Sequence, residues 1–452
     1  MSGVETAPGR PRLDRVRGLL GEGRAEVVGG VTVAHPRTDE EVSALLRVAG
    51  EEGWRVRPSS AASAVGTLGD PDPHPGAARM ESESRIGTRA DPVRPDLVVS
   101  TAAMDRLVEH EPGDLMVRGQ AGLLLADLQR AVSGSGQWLA LDPPGGASRT
   151  LGGIVAGGES GPLRPLYGRP RDQVLGVTLV DGAGRILRLG GRVVKNVAGF
   201  DLVRFTTGSR GVLGVVTEVV FRLYPRPEAD ETLVWECESL AAAWNLGRTL
   251  TEQRLPIASA ELVWGSWDPV ARVVGAAGSD EDGTAEKSRM AGEFGTPVPA
   301  REVDKSVKTG AHESAAGFES AEARRSEFNK IRILIRLHGS GSAVLRLRDQ
   351  LTREAASPDQ VLEGADSKAV WERVAIGTGS TPGAEDVLLA ALPSRGAGLV
   401  DALSMLPVER GSLHLLEGTF RVRPGRPLEE REVEELSEAA RSAEGRMRWV
   451  ES

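Results

Sequence analysis

The sequence predicts an α+β protein of at least two units, and three observations carry that reading. Its 452 residues exceed what one ordinary hydrophobic core holds, which favours two or three domains. The first half alternates short β-branched runs with helix-period segments around one glycine-dense loop. After Pro225-Arg226-Pro227 the pattern changes to longer strand–helix alternations, of the kind that lays helices on one face of an antiparallel sheet. The expected division is therefore 1–30, an N-terminal helix and connector; 31–227, a first large unit; and 228–452, a second.

Element by element, Thr38 with Glu41 three positions on reads as a capping box. It opens a helix whose apolar residues are Val42, Leu45, Leu46 and Ala49, ending at Gly53. Trp54–Arg57 reads as a strand and 58–95, without periodicity, as loop. Asp96–Ser100 and Leu115–Gly119 read as strands and Leu123–Val132 as a helix. Val174–Val180 and Arg185–Leu189 flank a turn at 181–184, and Val212–Tyr224 reads as a strand. In the second unit the expected strands are Ala258–Trp264, Ile331–His338, Leu413–Arg421 and Arg446–Val450. The expected helices are Thr284–Phe294, Ser342–Ala355, Gly396–Leu406 and Leu428–Ala443, with 300–328 a polar excursion.

Composition excludes several functions. Apolar residues at 40% and charged residues at 26% are globular values, and aromatics at 4% leave the core to Val, Leu, Ala and Ile. A net charge of −9 argues against nucleic acid as the main partner. No stretch approaches eighteen uninterrupted apolar residues, and the first residues lack the apolar run of a signal peptide. The expected place is the cytoplasm, with any membrane contact made through partners. The one cysteine, Cys237, excludes an internal disulfide framework and a cysteine-ligated iron–sulfur cluster held by this chain alone. Six scattered histidines show no metal-ligand spacing, so no metal site is expected.

Three segments carry chemistry. Residues 145–161, GGASRTLGGIVAGGESG, hold seven glycines in seventeen positions. Glycines let backbone N–H groups approach an anion closely, and Ile154-Val155-Ala156 is apolar enough to continue as a helix pointing its N-terminus at phosphates. The bland alternative is a flexible surface loop, but the glycines come in pairs between apolar residues rather than among Ser and Gln. No G-x-G-x-x-G or G-x-x-x-x-G-K-[ST] run is present, so neither a Rossmann nor a P-loop site is expected. The second segment, Gly190–Asp201, contains Lys195, the only lysine in the first 286 residues. In a chain that writes its cations as arginine, it marks either a site for a compact charge or a chance solvated lysine. The third, Thr207–Glu218, is a glycine-rich turn feeding a β-branched strand.

In order, LDPPGG, TLGG, SGPLR, VDG.G, GGRVVKNVAGFDL, GS.G.LGVVTE and YPRP resemble the FAD-binding subunits of glycolate oxidases, within the vanillyl-alcohol oxidase/p-cresol methylhydroxylase (PCMH) superfamily. The resemblance is close from Leu141 to Pro227 and looser from Val33 to Ala140. It implies a PCMH-type two-subdomain FAD-binding fold followed by a C-terminal α+β, ferredoxin-like cap. It also implies an oxidoreductase using non-covalent FAD, since no histidine occupies the loop to anchor the flavin. By the same resemblance Thr150, Gly152 and Gly153 cradle the pyrophosphate with Gly157 and Ser160 nearby, and Asp142, Pro143 and Pro144 shape the preceding turn. Gly199 and Asp201 line the flavin region, Val215 and Val216 offer backbone bonds, and Lys195 places its charge near flavin or phosphates. The implied partners are a sister flavin subunit and an iron–sulfur subunit, with a small 2-hydroxy acid as substrate of the complex.

One departure stands out: where the superfamily has a triple-glycine phosphate loop, this chain has Arg57-Pro-Ser-Ser-Ala-Ala-Ser-Ala-Val-Gly66. Two rival readings stay open, a standalone flavin dehydrogenase of another alcohol or hydroxy acid and a flavin-empty scaffold for a partner flavoprotein. No catalytic base is assignable, and Arg421 and Arg423 are candidate cations for a substrate carboxylate in an arginine-rich chain.

Overall fold

The computed structural model describes residues 10–60, 94–191, 201–265, 269–270, 330–376, 386–391, 394–406 and 408–450. The expected helix Thr284–Phe294 and the excursion at 300–328 lie outside the described residues.

The chain begins with α1 (Arg10–Leu20), followed by β1 (Ala25–Val28), β2 (Val31–Ala34), α2 (Asp39–Glu51), β3 (Val56–Ser59) and β4 (Leu97–Ser100). These strands form a sheet in the order β1-β2-β4-β3, in which β4 runs parallel to both neighbours. Thr38 caps α2 as its sequence predicts, its hydroxyl accepting from the Glu41 N–H at 3.3 Å. The reciprocal half of the box is shifted by one residue, because the Glu41 carboxylate accepts from the Arg37 N–H at 2.7 Å and also pairs with Arg24.

Next come β5 (Leu107–Glu111), β6 (Met116–Gln120), α3 (Leu125–Ser133), the two-residue β7 (Gln137–Trp138), α4 (Leu151–Gly157), α5 (Arg164–Tyr167) and α6 (Pro170–Gln173). They are followed by β8 (Val174–Val180), β9 (Ile186–Gly190), α7 (Leu202–Thr206), β10 (Val215–Arg222) and β11 (Tyr224–Pro225). A second, antiparallel sheet has the order β5-β6-β10-β8-β9, while β7 pairs with β11. The strand expected from Val212 starts at Val215, since Gly211 and Gly214 hold a turn with φ of +80° and +143°. Val180 and Val215 from this sheet join Val42 and Leu45 of α2 and Leu97 and Val99 of the first sheet in one buried cluster, so the two sheets pack together around α2 there.

The remaining elements are β12 (Ala229–Cys237), α8 (Leu240–Glu252), β13 (Ser259–Gly265), β14 (Ile331–Gly339), α9 (Gly341–Glu354), β15 (Gln360–Glu363) and α10 (Gly364–Ile376). Then follow β16 (Asp386–Ala390), α11 (Ala397–Ser404), β17 (Val408–His414), β18 (Thr419–Pro424), α12 (Glu430–Ser442) and β19 (Arg446–Val450). One eight-stranded antiparallel sheet takes all eight strands in the order β15-β12-β14-β13-β17-β18-β16-β19. That order is two β-α-β-β-α-β ferredoxin-like units, β12 to β15 and β16 to β19, joined edge to edge through β13 and β17. The single strand expected over Leu413–Arg421 is instead β17 and β18, separated by a tight turn ending at Gly418 (φ +66°).

One face of this sheet is apolar and buries Leu262, Ile333, Ile335, Leu413 and Phe420 against α8, α9, α11 and α12. Period-two alternation then forces the intervening residues onto the opposite face. Leu262→Ala would open a cavity in that core, and a loss of about 2–5 kcal/mol is expected, read as a lowered unfolding midpoint in urea.

Candidate FAD cleft and buried polar face

A first cleft lies between the two smaller sheets. Its walls include Pro58, Ser59 and Ser60 at the end of β3, Thr101, Arg149, Gly152, Gly153 and Gly157 of the α4 region, and Arg210 to Val216 at the entry to β10. Thr150 is the N-cap of α4, its hydroxyl accepting from the Gly153 N–H at 3.2 Å. The helix thereby directs its first turn at the cleft, where backbone N–H groups favour negative charge. A Cβ added at Gly153 would stand 3.3 Å from Ser60 Oγ, so the glycine is what lets the two walls approach. Arg149 is held by Glu159 at 2.8 Å, leaving a buried Nε without a partner among the described residues. A glycine-lined helix start with guanidinium groups beside it fits the pyrophosphate of a dinucleotide.

The structure brings Gly152, Gly153, Gly157, Val215 and Val216 to this cleft, with Thr150 capping the helix that forms its wall. Pro143 and Pro144 lie outside it, in a turn where the Pro143 carbonyl accepts from the Gly146 N–H. Ser160 is half-buried beyond the end of α4. Asp201 is exposed and caps α7, accepting from the Arg204 N–H at 3.0 Å. Lys195 and Gly199 lie outside the described residues. Arg149, Arg210 and Thr101 are cleft residues that sequence reasoning missed, whereas Pro58, Ser59 and Ser60 belong to the segment singled out as standing where the superfamily has its phosphate loop. The only signal for the two arginines was position, one directly before the Thr150 cap and another between Ser209 and Gly211.

The same glycine-rich segment borders a second feature. Leu141, Asp142, Gly146 and Leu163 face a cavity of about 670 Å³ whose other wall is the large sheet and α10. The non-apolar face of that sheet is charged here. Arg336, His338, Glu261, His414 and Arg423 are all buried. Such a set is unusual, because buried charges persist only when paired or put to use.

Two connected groups make up this face. In the first, Asp230 accepts from Arg336 through both carboxylate oxygens (3.0 and 2.6 Å) and from Ser367 at 2.7 Å. Burial opposes its ionisation, yet the His338 and Arg336 partners together hold its carboxyl well below the usual range. His338 stands 3.4 Å from Asp230 through Nε2, and its Nδ1 lies 3.0 Å from the Tyr167 hydroxyl. Burial lowers the His338 pKa, and with Asp230 beside Nε2 the neutral ring carries its hydrogen there and accepts a hydrogen bond from the Tyr167 hydroxyl on Nδ1. Trp138 meets both rings edge-on, at 5.4 Å from Tyr167 and 5.8 Å from His338.

In the second group, Glu261 and His414 are directly opposite in the β13–β17 register and 3.9 Å apart. Arg164, at the start of α5, reaches across to Glu417 and to the Thr419 hydroxyl. Burial pushes Glu261 up to about 8 in spite of Arg164 and Arg421. It pushes Asp142 up to about 7 in spite of Arg336 and Arg164. His414 is driven down to about 3 by burial and then by Arg164. Asp142 therefore sits between the two groups, accepting from the Leu163 N–H at 3.0 Å.

Comparison with known proteins agrees with this geometry. Residues 83–190 match the FAD binding domain family model, and the chain carries an FAD-binding domain of the PCMH type with FAD as its cofactor. Among curated proteins it is similar to glycolate oxidase subunit GlcE of Escherichia coli strain K12, 42% identical over 157 residues, or 33% of this chain and 43% of that protein. It is also similar to glycolate oxidase subunit GlcD of Bacillus subtilis strain 168, 34% identical over 212 residues, or 47% of this chain and 40% of that protein. The chain thus spans less than half the length of either relative. Its fold is shared with a solved structure of alkyldihydroxyacetonephosphate synthase, at a TM-score of 0.56 and 16% identity over 92% of this chain and 72% of that one. Among the described residues no helix is long and apolar enough to cross a membrane.

Proposed function

We propose that this chain is the FAD-carrying subunit of a 2-hydroxy acid oxidoreductase of the glycolate oxidase kind, with 31–227 as the FAD-binding unit and 228–452 as its cap. The observation that carries this reading is the 42% identity to glycolate oxidase subunit GlcE, a protein named for that activity. The charged sheet face adds chemical sense, since oxidation of a hydroxy acid needs a cation for the carboxylate and a group to take the hydroxyl proton. FAD, when bound, supplies the acceptor for the two electrons. The chain's own share is to hold the phosphates with the α4 N-terminus and Arg149, and to keep water from the Arg164–Glu261–His414 region. Lys195 adds positive charge near the flavin or its phosphates. Electrons then leave through a sister flavin subunit and an iron–sulfur subunit, because the one cysteine here, half-buried Cys237 on β12, cannot ligate a cluster alone.

The purified chain is expected to be yellow and to release intact FAD into the supernatant after acid precipitation. Glycolate turnover with a dye acceptor should be slow for the isolated chain and rise when partner subunits are co-expressed. A colourless protein that also refuses added FAD would overturn this function and leave a scaffold for a partner flavoprotein, a role that the Ser/Ala-substituted loop after Arg57 would suit.

A further inference from the structure

The glycine segment that walls the FAD cleft is a closed loop, and its two ends meet against the large sheet. Both Asp142 carboxylate oxygens accept from the Leu163 N–H, at 3.0 and 3.3 Å. The chain crosses so closely there that a Cβ on Gly161 would collide with the Asp142 carbonyl oxygen. Buried Gln173 ties the same two arms further out, donating to the Ala140 carbonyl at 2.9 Å and the Tyr167 carbonyl at 3.2 Å. Between the pinned ends lie Arg149, Gly152, Gly153 and Gly157, all of them cleft residues.

The second unit holds this base on both arms. After the loop, Arg164 pairs with Glu417 and donates to the Thr419 hydroxyl at 3.4 Å. The Tyr167 hydroxyl donates to His338 Nδ1 at 3.0 Å, and His414 Nε2 lies 3.4 Å from the Pro162 carbonyl. Before the loop, Trp138 meets the His338 ring edge-on at 5.8 Å. At the pin itself, Arg336 of β14 and Arg164 of α5 set positive charge beside the Asp142 carboxylate. Asp142, Tyr167 and His338 all stand outside the cleft wall described above, so they reach a phosphate in it only through the loop.

We infer that Asp142 is a positioning residue for the cofactor, pinning the base of the 142–163 loop against the large sheet so that cap seating and cleft shape are coupled. The inference rests on the FAD reading of the cleft. By linkage the coupling is reciprocal: a seated cap sharpens the cleft, and bound FAD holds the cap more tightly. The loop is also held within its own unit, where the Leu151 N–H donates to the Leu123 carbonyl at 2.9 Å. Release of the base therefore loosens the cleft rather than destroying it.

Calorimetric titration of the full chain with FAD and with ADP, which carries the pyrophosphate without the flavin ring, tests this alongside hydrogen exchange of β14 and β17. Asp142→Ala strips the Leu163 N–H of its acceptor and is expected to weaken both ligands alike, by about tenfold. Asp142→Asn keeps an acceptor and should restore most of that loss. Tyr167→Phe breaks only the bond to His338 and should weaken both ligands by about threefold. Combined with Asp142→Ala it should add nothing, because a freed base no longer feels the cap. Exchange in β14 and β17 should slow when FAD is added, and the slowing should be lost in Asp142→Ala even at saturating FAD. Arg348→Gln, which breaks an ion pair to Glu231 inside the cap, should leave both affinities unchanged. Undiminished affinity in Asp142→Ala, weakening of FAD without ADP, or exchange unmoved by FAD would overturn the inference. Where Asp142→Ala does not fold, affinities in Tyr167→Phe equal to those of the unsubstituted chain overturn it instead. The two readings fail separately. FAD uptake that ignores Asp142 and Tyr167 sinks the positioning role alone, and Asp142-dependent ADP binding by a chain that takes no FAD sinks the flavin function alone.

Discussion

Gly153→Val is expected to abolish FAD uptake at micromolar concentrations while leaving a folded chain. Gly153 lies in the first turn of α4, facing the end of β3 across the cleft. A Cβ there would stand 3.0 Å from Thr150 Oγ1 and 3.3 Å from Ser60 Oγ, and the added methyls of valine would extend into the space a phosphate needs. The Thr150 cap bond to the Gly153 N–H is crowded by the same substitution, so the first turn loses its aim as well as its clearance. Each charge-assisted contact to phosphate contributes about 1.5–3 kcal/mol, so losing two weakens FAD by about a hundredfold or more. Gly152 provides the contrast. Its Cβ would meet Ala121 Cβ at 2.7 Å, inside the packing of α4 on the second sheet, so Gly152→Val should lower the melting temperature. Titration by flavin fluorescence, alongside melting curves, separates the two. Normal FAD affinity in Gly153→Val would mean that the cleft does not hold the pyrophosphate.

How much of this was legible in the sequence follows from which interactions are local. The Thr38 cap and the Val42, Leu45, Leu46 and Ala49 stripe are local patterns, and α2 forms from Asp39 to Glu51 with those residues buried. The alternation in Ile331–His338 likewise gives β14. The glycine pairs flanking Thr150 pointed at α4 because the cap and the helix are contiguous in the chain. What could not be read were features made by pairing distant strands. Nothing near Glu261 announces His414, since they meet only through the β13–β17 register that joins the two ferredoxin-like units. Asp142 reads as part of a turn, and its position among Arg336 and Arg164 depends on how the large sheet docks on the FAD-binding unit. Of Ala229–Cys237, only the stretch from Val234 to Cys237 reads as strand-like in the sequence, and no helix is read over Leu240–Glu252, although they form β12 and α8. The strand is broken by Asp230, Glu231 and Glu236, whose charges are satisfied by tertiary partners such as Arg336, Arg348 and Arg332. Arg421 and Arg423, singled out only as candidate cations, belong to β18, with Arg423 1% exposed on a strand that alternates them with Val422.

The buried Glu261–His414 pair should leave opposite marks on stability as pH changes. The Glu261 pKa is raised to about 8, so between pH 4.5 and 8 the unfolded chain has released a proton that the folded chain retains. Its contribution to stability is full below pH 4.5 and is lost as pH rises through 8. The His414 pKa is depressed to about 3, so below pH 6.5 the unfolded chain gains a proton that the folded chain refuses. Its contribution is full above pH 6.5 and is lost as pH falls toward 3. Between pH 4.5 and 6.5 the Glu261 and His414 slopes cancel, while Asp142, raised to about 7, adds a loss in the same direction as Glu261 from about pH 4 up to about pH 7; above 6.5 the carboxylates act alone. Arg164 and Arg421 face the pair and stay charged throughout, so they add no slope of their own over this range. Glu261→Gln leaves His414 and Asp142 opposing each other: its stability should stay nearly level from pH 5 to 6.5, slip slightly as pH rises to 7 and stay level from 7 to 8, where the unsubstituted chain loses stability throughout. His414→Gln uncovers the glutamate and should gain stability from pH 6.5 to pH 5. Each pH unit corresponds to about 1.4 kcal/mol, so across pH 5 to 8 the Glu261→Gln curve should depart from that of the unsubstituted chain by up to about 4 kcal/mol. Melting temperatures at pH 5, 6.5 and 8 for the three proteins give the comparison. Parallel profiles in all three would mean that Glu261 and His414 titrate as they do in water, and that the charged sheet face is open to solvent.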